Sequence, residues 1–283
     1  MRQFVRLCIG ECYKTKHTII PALHIGIPLV GSVALLLYHH FSKVETMVQL
    51  STFSQLIGLA FPFIVSLVCA CQTALEEGNH FQTFLGGSGG WLRSFWAKCL
   101  VLQIAGGASV VIGMGSFALG ESYLLGNVDL PSVLYMEIAA GLWLGSLIQY
   151  PIHLFLNLRF SQSVSMGIGV IQSVLAALLI TGLGEGIWQF LPCSWSIRFS
   201  AEILKRFLGL GTDFGRGIFG LISIGVCAII SLWFQYRGEL AACEMVKNTR
   251  IHILVVDDDR GILELVRRSL EHEGYQVDTI ERS

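Results

Sequence analysis

The sequence predicts an all-α integral membrane protein with six transmembrane helices, followed at the C-terminus by a short βαβ-like soluble fragment. Three observations carry this reading. Hydrophobic residues fill 53% of the 283 positions and charged residues only 14%, with a mean hydropathy of +0.63, whereas an ordinary soluble domain is about 25% charged. Long runs are almost free of Asp, Glu, Lys and Arg. Residues 250–283 hold 5 Lys/Arg and 8 Asp/Glu, which leaves roughly a tenth of the preceding positions charged. The boundaries are therefore 1–245 for the membrane part and 250–283 for the tail. A single water-soluble domain is excluded. So is a nucleic-acid binder with a basic face, because the net charge is −1 and no Lys/Arg cluster interleaves with aromatics.

The elements follow in order. Arg2, Arg6, Lys14 and Lys16 precede an apolar stretch that is longer than a signal h-region and has no small-residue cleavage site, so the first helix is expected to be retained. A bilayer core about 30 Å thick requires roughly 20 residues at helical rise. Runs at 17–38, 50–71, 99–120, 164–184 and 217–236 meet that need without a charge, and a sixth, 132–156, contains Glu137 and His153. In lipid each must satisfy its own backbone, so each is expected to be a helix. Residues 72–96 would form the longest connection on the N-terminal side.

Basic residues orient the chain. An N-terminus in the cytoplasm places Arg2, Arg6, Lys14, Lys16, Arg93, Lys98, Arg159, Arg237, Lys247 and Arg250 inside and leaves 121–131 without a basic residue outside. The exception is the last outer loop, which carries Arg198, Lys205, Arg206 and Arg216. Within it, Phe199, Ile203, Leu204, Phe207 and Leu208 recur at helical spacing, opposite Arg198, Glu202, Lys205 and Arg206. That pattern fits a short amphipathic helix at the membrane surface, or an ordinary connecting helix.

Polar residues within the spans are the candidates for chemistry. Glu137, about five residues into span four, either snorkels to the interface or lines a substrate path. His24, His39 and His153 lack the pairing that haem ligation wants, and lone helical histidines commonly bond a neighbouring helix. Eight cysteines form no CxxC pair and read as small apolar fillers. Gly106, Gly107, Ala108, Gly113 and Gly115 would let another helix approach span three, from this chain or from a second subunit. The chain has no GxxxxGK[ST] phosphate loop, so any nucleotide chemistry must come from another polypeptide.

Three stretches carry a resemblance. The first is Glu11, Cys12, Tyr13, Lys14, Lys16 and Thr18, followed by Leu23, His24 and Pro28. The second runs from Glu76, Glu77, Gly78 and His80 through Phe81 and Gln82 to Trp91 and Lys98. The third is Gly186, Trp188, Phe190, Pro192 and Trp195. Together they resemble ATP-binding-cassette (ABC) exporter permeases of the type-two class, and more narrowly the lantibiotic (bacteriocin) immunity permease subunits. The resemblance implies a multi-pass protein of the bacterial cell membrane, with no cofactor and no catalytic residue of its own. It implies a cytoplasmic ABC ATPase holding ATP and Mg, and a second permease subunit, identical or homologous. The substrate would be a hydrophobic or cationic peptide. On this footing Glu76, Glu77, Gly78 and Phe81 form the ATPase-coupling loop, where a polar rim and an aromatic anchor suit a docking interface. The run Gly86, Gly87, Ser88, Gly89, Gly90 departs from what a force-transmitting segment needs.

The tail reads differently. Residues 251–256 form an apolar run typical of a buried parallel strand, Asp257, Asp258 and Asp259 stand at its end, and Ile262, Leu263, Leu265, Val266 and Leu270 recur at helical spacing. This resembles the first βαβ of a response-regulator receiver domain. Asp257 and Asp258 would match its magnesium-binding acidic pair, here vestigial and with no functional metal. About 34 residues cannot bury a core, so the tail is expected neither to accept phosphate nor to fold alone. A fusion, frameshift or readthrough from a neighbouring two-component system would account for it, and a docking tail is the alternative. The function expected from the sequence is therefore the permease of an ATP-driven peptide exporter. A membrane-bound signal transducer linked to a two-component response regulator is the rival, and a membrane redox enzyme the third reading.

Overall fold

Backbone amides that find no water in lipid must bond within their own segment, and the apolar runs become long helices accordingly. The computed structural model describes residues 2–42, 44–77, 90–126, 130–212, 218–247, 252–272 and 276–281. Helix α1 (Arg2–Lys16) is followed by α2 (Ile19–Ser42), and Thr18 serves both. Its hydroxyl donates to the carbonyl of Thr15 at 2.7 Å and accepts from the amide of Ile20 at 3.3 Å, which satisfies groups at one helix end and the next helix start. Helices α3 (Thr46–Glu77), α4 (Gly90–Leu124), α5 (Ser132–Ser146), α6 (Gln149–Arg159) and α7 (Gln162–Leu179) follow. Three short 3-10 turns then lead into α8 (Trp195–Phe207) and α9 (Ile218–Lys247). Among the described residues six helices are long and apolar enough to cross a bilayer, which is the pattern of a multi-pass membrane protein.

Several boundaries differ from the sequence expectation. Helix α3 continues to Glu77 and α4 starts at Gly90, so the connection expected over 72–96 contracts to 78–89. Its polar residues Gln72, Thr73, Glu76 and Ser94 are buried. Span four is two helices broken at residues 147 and 148. Pro151 favours the break, since it has no amide to bond the carbonyl of Leu147 and sits in the first turn of the second helix, although Pro28 and Pro62 are accommodated inside α2 and α3. Helix α7 stops at Leu179, short of residue 184.

Of the two readings of the segment after span five, a helix at the membrane surface or an ordinary connecting helix, the packing favours the second. Helix α8 packs inside the bundle, with Arg198 and Glu202 buried. A Cβ on Gly58 of α3 would lie 2.7 Å from the Cα of Ile197, and one on Gly145 of α5 would lie 2.5 Å from the amide nitrogen of Ser196. Glycines on both sides thus let α8 approach two helices backbone to backbone. The buried charge is accommodated because Arg198 caps a helix: it donates to the carbonyls of Leu179 (2.7 Å) and Thr181 (3.0 Å), pairs with Glu185 (2.9 Å) and lies over the Trp188 ring. Trp188, Trp195 and Cys193 form an apolar cluster with Ile148 and Leu179 beneath this cap, and Phe199 and Phe219 pack against it.

Residues Met1–Leu232 form one unit and Trp233–Ser283 another. In the second, β1 (His252–Asp257) pairs in parallel with β2 (Gln276–Glu281) across helix α10 (Arg260–His272), with Val255 opposite Thr279. Asp259 accepts from the amide of Gly261 at 2.7 Å and so caps α10. Leu263 and Val277 are buried, whereas Val256, Leu265 and Ile280 are exposed.

Candidate functional site

The residues singled out around Glu76 lie at the end of the bundle that carries α1. Glu76 does not lie in a loop. It is 1% exposed in the last turn of α3 and accepts hydrogen bonds from Lys14 of α1 and Lys98 of α4, each at 2.9 Å. Lys14 also bonds Glu11 at 2.8 Å, Lys98 pairs with the second oxygen of Glu11, and Gln72 donates to that same oxygen at 3.0 Å. Two carboxylates and two ammoniums thus close a square across α1, α3 and α4. Glu11, Glu76 and Lys98 are buried while the Lys14 side chain stays 33% exposed, and taking the three out of water is tolerable only because each is paired and hydrogen-bonded. Burial depresses the Lys14 amine, but the bonds to Glu11 and Glu76 more than offset it and hold its pKa above the ordinary lysine value.

Glu77, the next residue, is exposed and accepts from the side chain of Gln162 at 2.9 Å, tying α3 to the start of α7. Gly78 and Phe81 lie outside the described residues. The structure therefore separates a pair that the sequence treated alike: Glu76 holds the bundle together, and Glu77 stands at its rim. The square itself was not visible in the sequence, where Lys14 and Lys98 counted only as positive charge and Glu11 only as part of a resemblance. A signal was present, since Glu11, Lys14, Glu76 and Lys98 all lie within six residues of the ends of three apolar runs.

Glu137 sits at the opposite end. It pairs with Arg206 of α8 at 2.7 Å, and both side chains are about half exposed. His153 is buried between α6 and α7, with Nδ1 3.0 Å from the Ser165 hydroxyl and Nε2 2.9 Å from the Gln172 carbonyl oxygen. His24 has Nδ1 2.8 Å from the carbonyl of Ile20. Neither arrangement converges on a substrate or metal position. Asp257 ends β1 and Asp258 follows it, and the Asp257 carboxylate accepts from the amide of Asp259 at 2.9 Å. Among the described residues no three His, Cys, Asp or Glu side chains are grouped to hold a metal ion.

Relatives do not narrow the choice. Comparison with protein-family models, with curated proteins and with solved structures finds no match. What the site offers is its geometry: a largely buried ion square of two carboxylates and two ammoniums that joins α1 to α3 and α4. Such a joint can carry a displacement of the connection into α3 and α4 together, because moving one helix alone would strand a charge in the interior.

Proposed function

We propose that the chain is the permease subunit of an ATP-driven ABC exporter in the bacterial cell membrane, serving lantibiotic or antimicrobial-peptide immunity or export. The end bearing α1 and residues 78–89 faces the cytoplasm and receives a separate ATPase that binds ATP and Mg. A second permease subunit, identical or homologous, completes the pathway, and the cargo is a hydrophobic or cationic peptide. The observation that carries this reading is the ion square of Glu11, Lys14, Glu76 and Lys98. It makes α1, α3 and α4 move as one where a partner would push. Arg2, Arg6, Lys16, Arg93 and Arg159 at the same end agree with a cytoplasmic placement. The C-terminal βαβ-like unit plays no part in transport on this reading.

Affinity purification of the tagged full chain from native membranes, with mass spectrometry of its partners, tests the proposal. A stoichiometric ATPase with a phosphate-loop motif is the expected result. A sensor kinase alone, or no ATPase under gentle solubilisation, overturns it in favour of the signal transducer. Coupling is tested separately with Glu77→Ala combined with Phe81→Ala, which spares the ion square. Membrane insertion should be unchanged while peptide resistance falls. Unchanged resistance at equal expression would remove these residues from the docking surface.

A further inference from the structure

A cavity of about 300 Å³ lies between α2, α3 and α4 at the level of Tyr150. Its walls run from Leu23 to Gly31 on α2 and from Phe53 to Val68 on α3, with Gly106, Ser109 and Val110 behind. At helical rise these stretches span about 12 and 22 Å along the bundle, which brackets the thickness of one leaflet of hydrocarbon, about 15 Å. The lining is almost wholly apolar. Leu56 and Gly31 at its edge are exposed, so the cavity opens sideways onto the surface that faces lipid.

Few polar groups reach the wall. The Ser109 hydroxyl donates to the carbonyl of His24 at 2.6 Å, and His24 Nδ1 lies 2.8 Å from the carbonyl of Ile20, so this nitrogen carries the proton. The Tyr150 hydroxyl stands beside Gly106. A water needs two to four polar partners, and most of this wall offers none. An apolar occupant fits it best, and the solvent around these spans is itself apolar chain. His24 marks one end of the cavity, five residues from the start of α2 and on the side that carries α1. A ligand with its tail deep in the bundle would have its polar end there.

We propose that this cavity is a lipid site, which takes a single acyl chain of a bilayer phospholipid whose headgroup lies at the α1 end, near His24. The chain is a structural ligand held between α2 and α3, distinct from lipid that merely coats the outward faces of Ile171 and Val174 on α7. This inference does not rest on the transport reading, because occupancy requires neither an ATPase nor a peptide.

Gly31 offers a direct test, since a Cβ there meets nothing within 4 Å while the residue lines the cavity. Gly31→Trp would fill the space that the chain occupies. Gly115→Trp, equally unobstructed but outside the cavity, is the matched control. The full chain is reconstituted in phosphatidylethanolamine and phosphatidylglycerol vesicles containing a trace of phosphatidylglycerol with a diazirine on its acyl chain, then illuminated and mapped by mass spectrometry. The expected result is labelling of Ile57 and Ile64 in the unmodified protein, lost in Gly31→Trp and kept in Gly115→Trp, with Ile171 labelled alike in all three. If Gly31→Trp fails to fold, Ala60→Phe fills the same space and carries the same expectation. Cavity labelling that persists in the filled variant overturns the proposal, as does labelling confined to Ile171 and its neighbours. Labelling of Ile57 by a photoreactive hydrophobic peptide but not by the lipid overturns it in favour of a cargo site.

Discussion

Lys98 shows what the ion square demands of a single residue. With 1% of its surface exposed and both Glu11 and Glu76 as partners, it is stable as a charge only while both carboxylates remain. Replacing Glu76 by Gln should cost about 3–5 kcal/mol, the usual penalty for stranding a buried charge. Thermal unfolding of the detergent-solubilised protein would read that loss. Exchanging the two residues, Glu76→Lys with Lys98→Glu, should not recover it, because the exchange sets an ammonium against Lys14 and a carboxylate against Glu11; recovery would show that net charge outweighs pairing. Cysteines give a second test at this scale. Cys12 on α1 is exposed, whereas Cys193 is buried and its thiol is pushed up to about 11, chiefly by burial. At pH 8 only about one Cys193 thiol in a thousand would be ionised. In single-cysteine variants, maleimide should modify Cys12 readily and leave Cys193 untouched until the protein unfolds. An impermeant maleimide that reaches Cys12 in intact cells would reverse the orientation proposed for the bundle.

At the scale of elements, the lesson lies in α8 and in the connection before α4. The helical periodicity of 198–208 was correctly legible as amphipathic, but the face that carries Arg198 and Glu202 turned inward. A hydrophobic pattern cannot tell that an arginine will find two carbonyls at the end of α7, because those acceptors belong to a distant stretch of chain. Three of the four basic residues that spoiled the charge asymmetry of the outer loop have similar local tasks. Arg198 pairs with Glu185, Lys205 with Glu202 and Arg206 with Glu137, while Arg216 falls outside the described residues. Gly145 was not singled out either, since a glycine within a span reads only as a small residue until its neighbour is known. It should tolerate no side chain: Gly145→Val places methyl groups against the backbone of Ser196 and is expected to cost at least about 1–3 kcal/mol through overpacking. Faster limited proteolysis between residues 180 and 195 in this variant would check the role. Cleavage at the unmodified rate would mean that α8 can withdraw from α5 without penalty.

For the whole molecule, number and placement of spans were legible because the requirement for apolar length is absolute in a bilayer, and all six expected runs fall on the six long helices. Their ends were not, because α3 and α4 continue into polar sequence once Gln72 and Lys98 find Glu11 of α1 and Lys98 finds Glu76 there. The candidate site was half legible. Glu76 and Glu77 were singled out together as part of one loop, but they end a helix, and the difference between them depends on α1, which no local pattern links to residue 76. The C-terminal unit was recognisable from its strand, its acidic run and the amphipathic helix that follows. Truncation after Lys247 should leave membrane insertion and peptide resistance unchanged, and loss of resistance at equal expression would make the βαβ-like unit a functional docking tail.

Helix length also has a mechanical meaning. The 32 residues of α3 and 35 of α4 form rods about 48 and 52 Å long, well beyond the roughly 30 Å of hydrocarbon they cross. Both are pinned to α1 by the same four charges near one end. A rod of that length that pivots by about 5° sweeps its far tip through about 4 Å, a distance comparable to the gap between packed side chains. The fold thus has the proportions of a crowbar: a short, stiff grip on one side of the membrane and a long throw on the other.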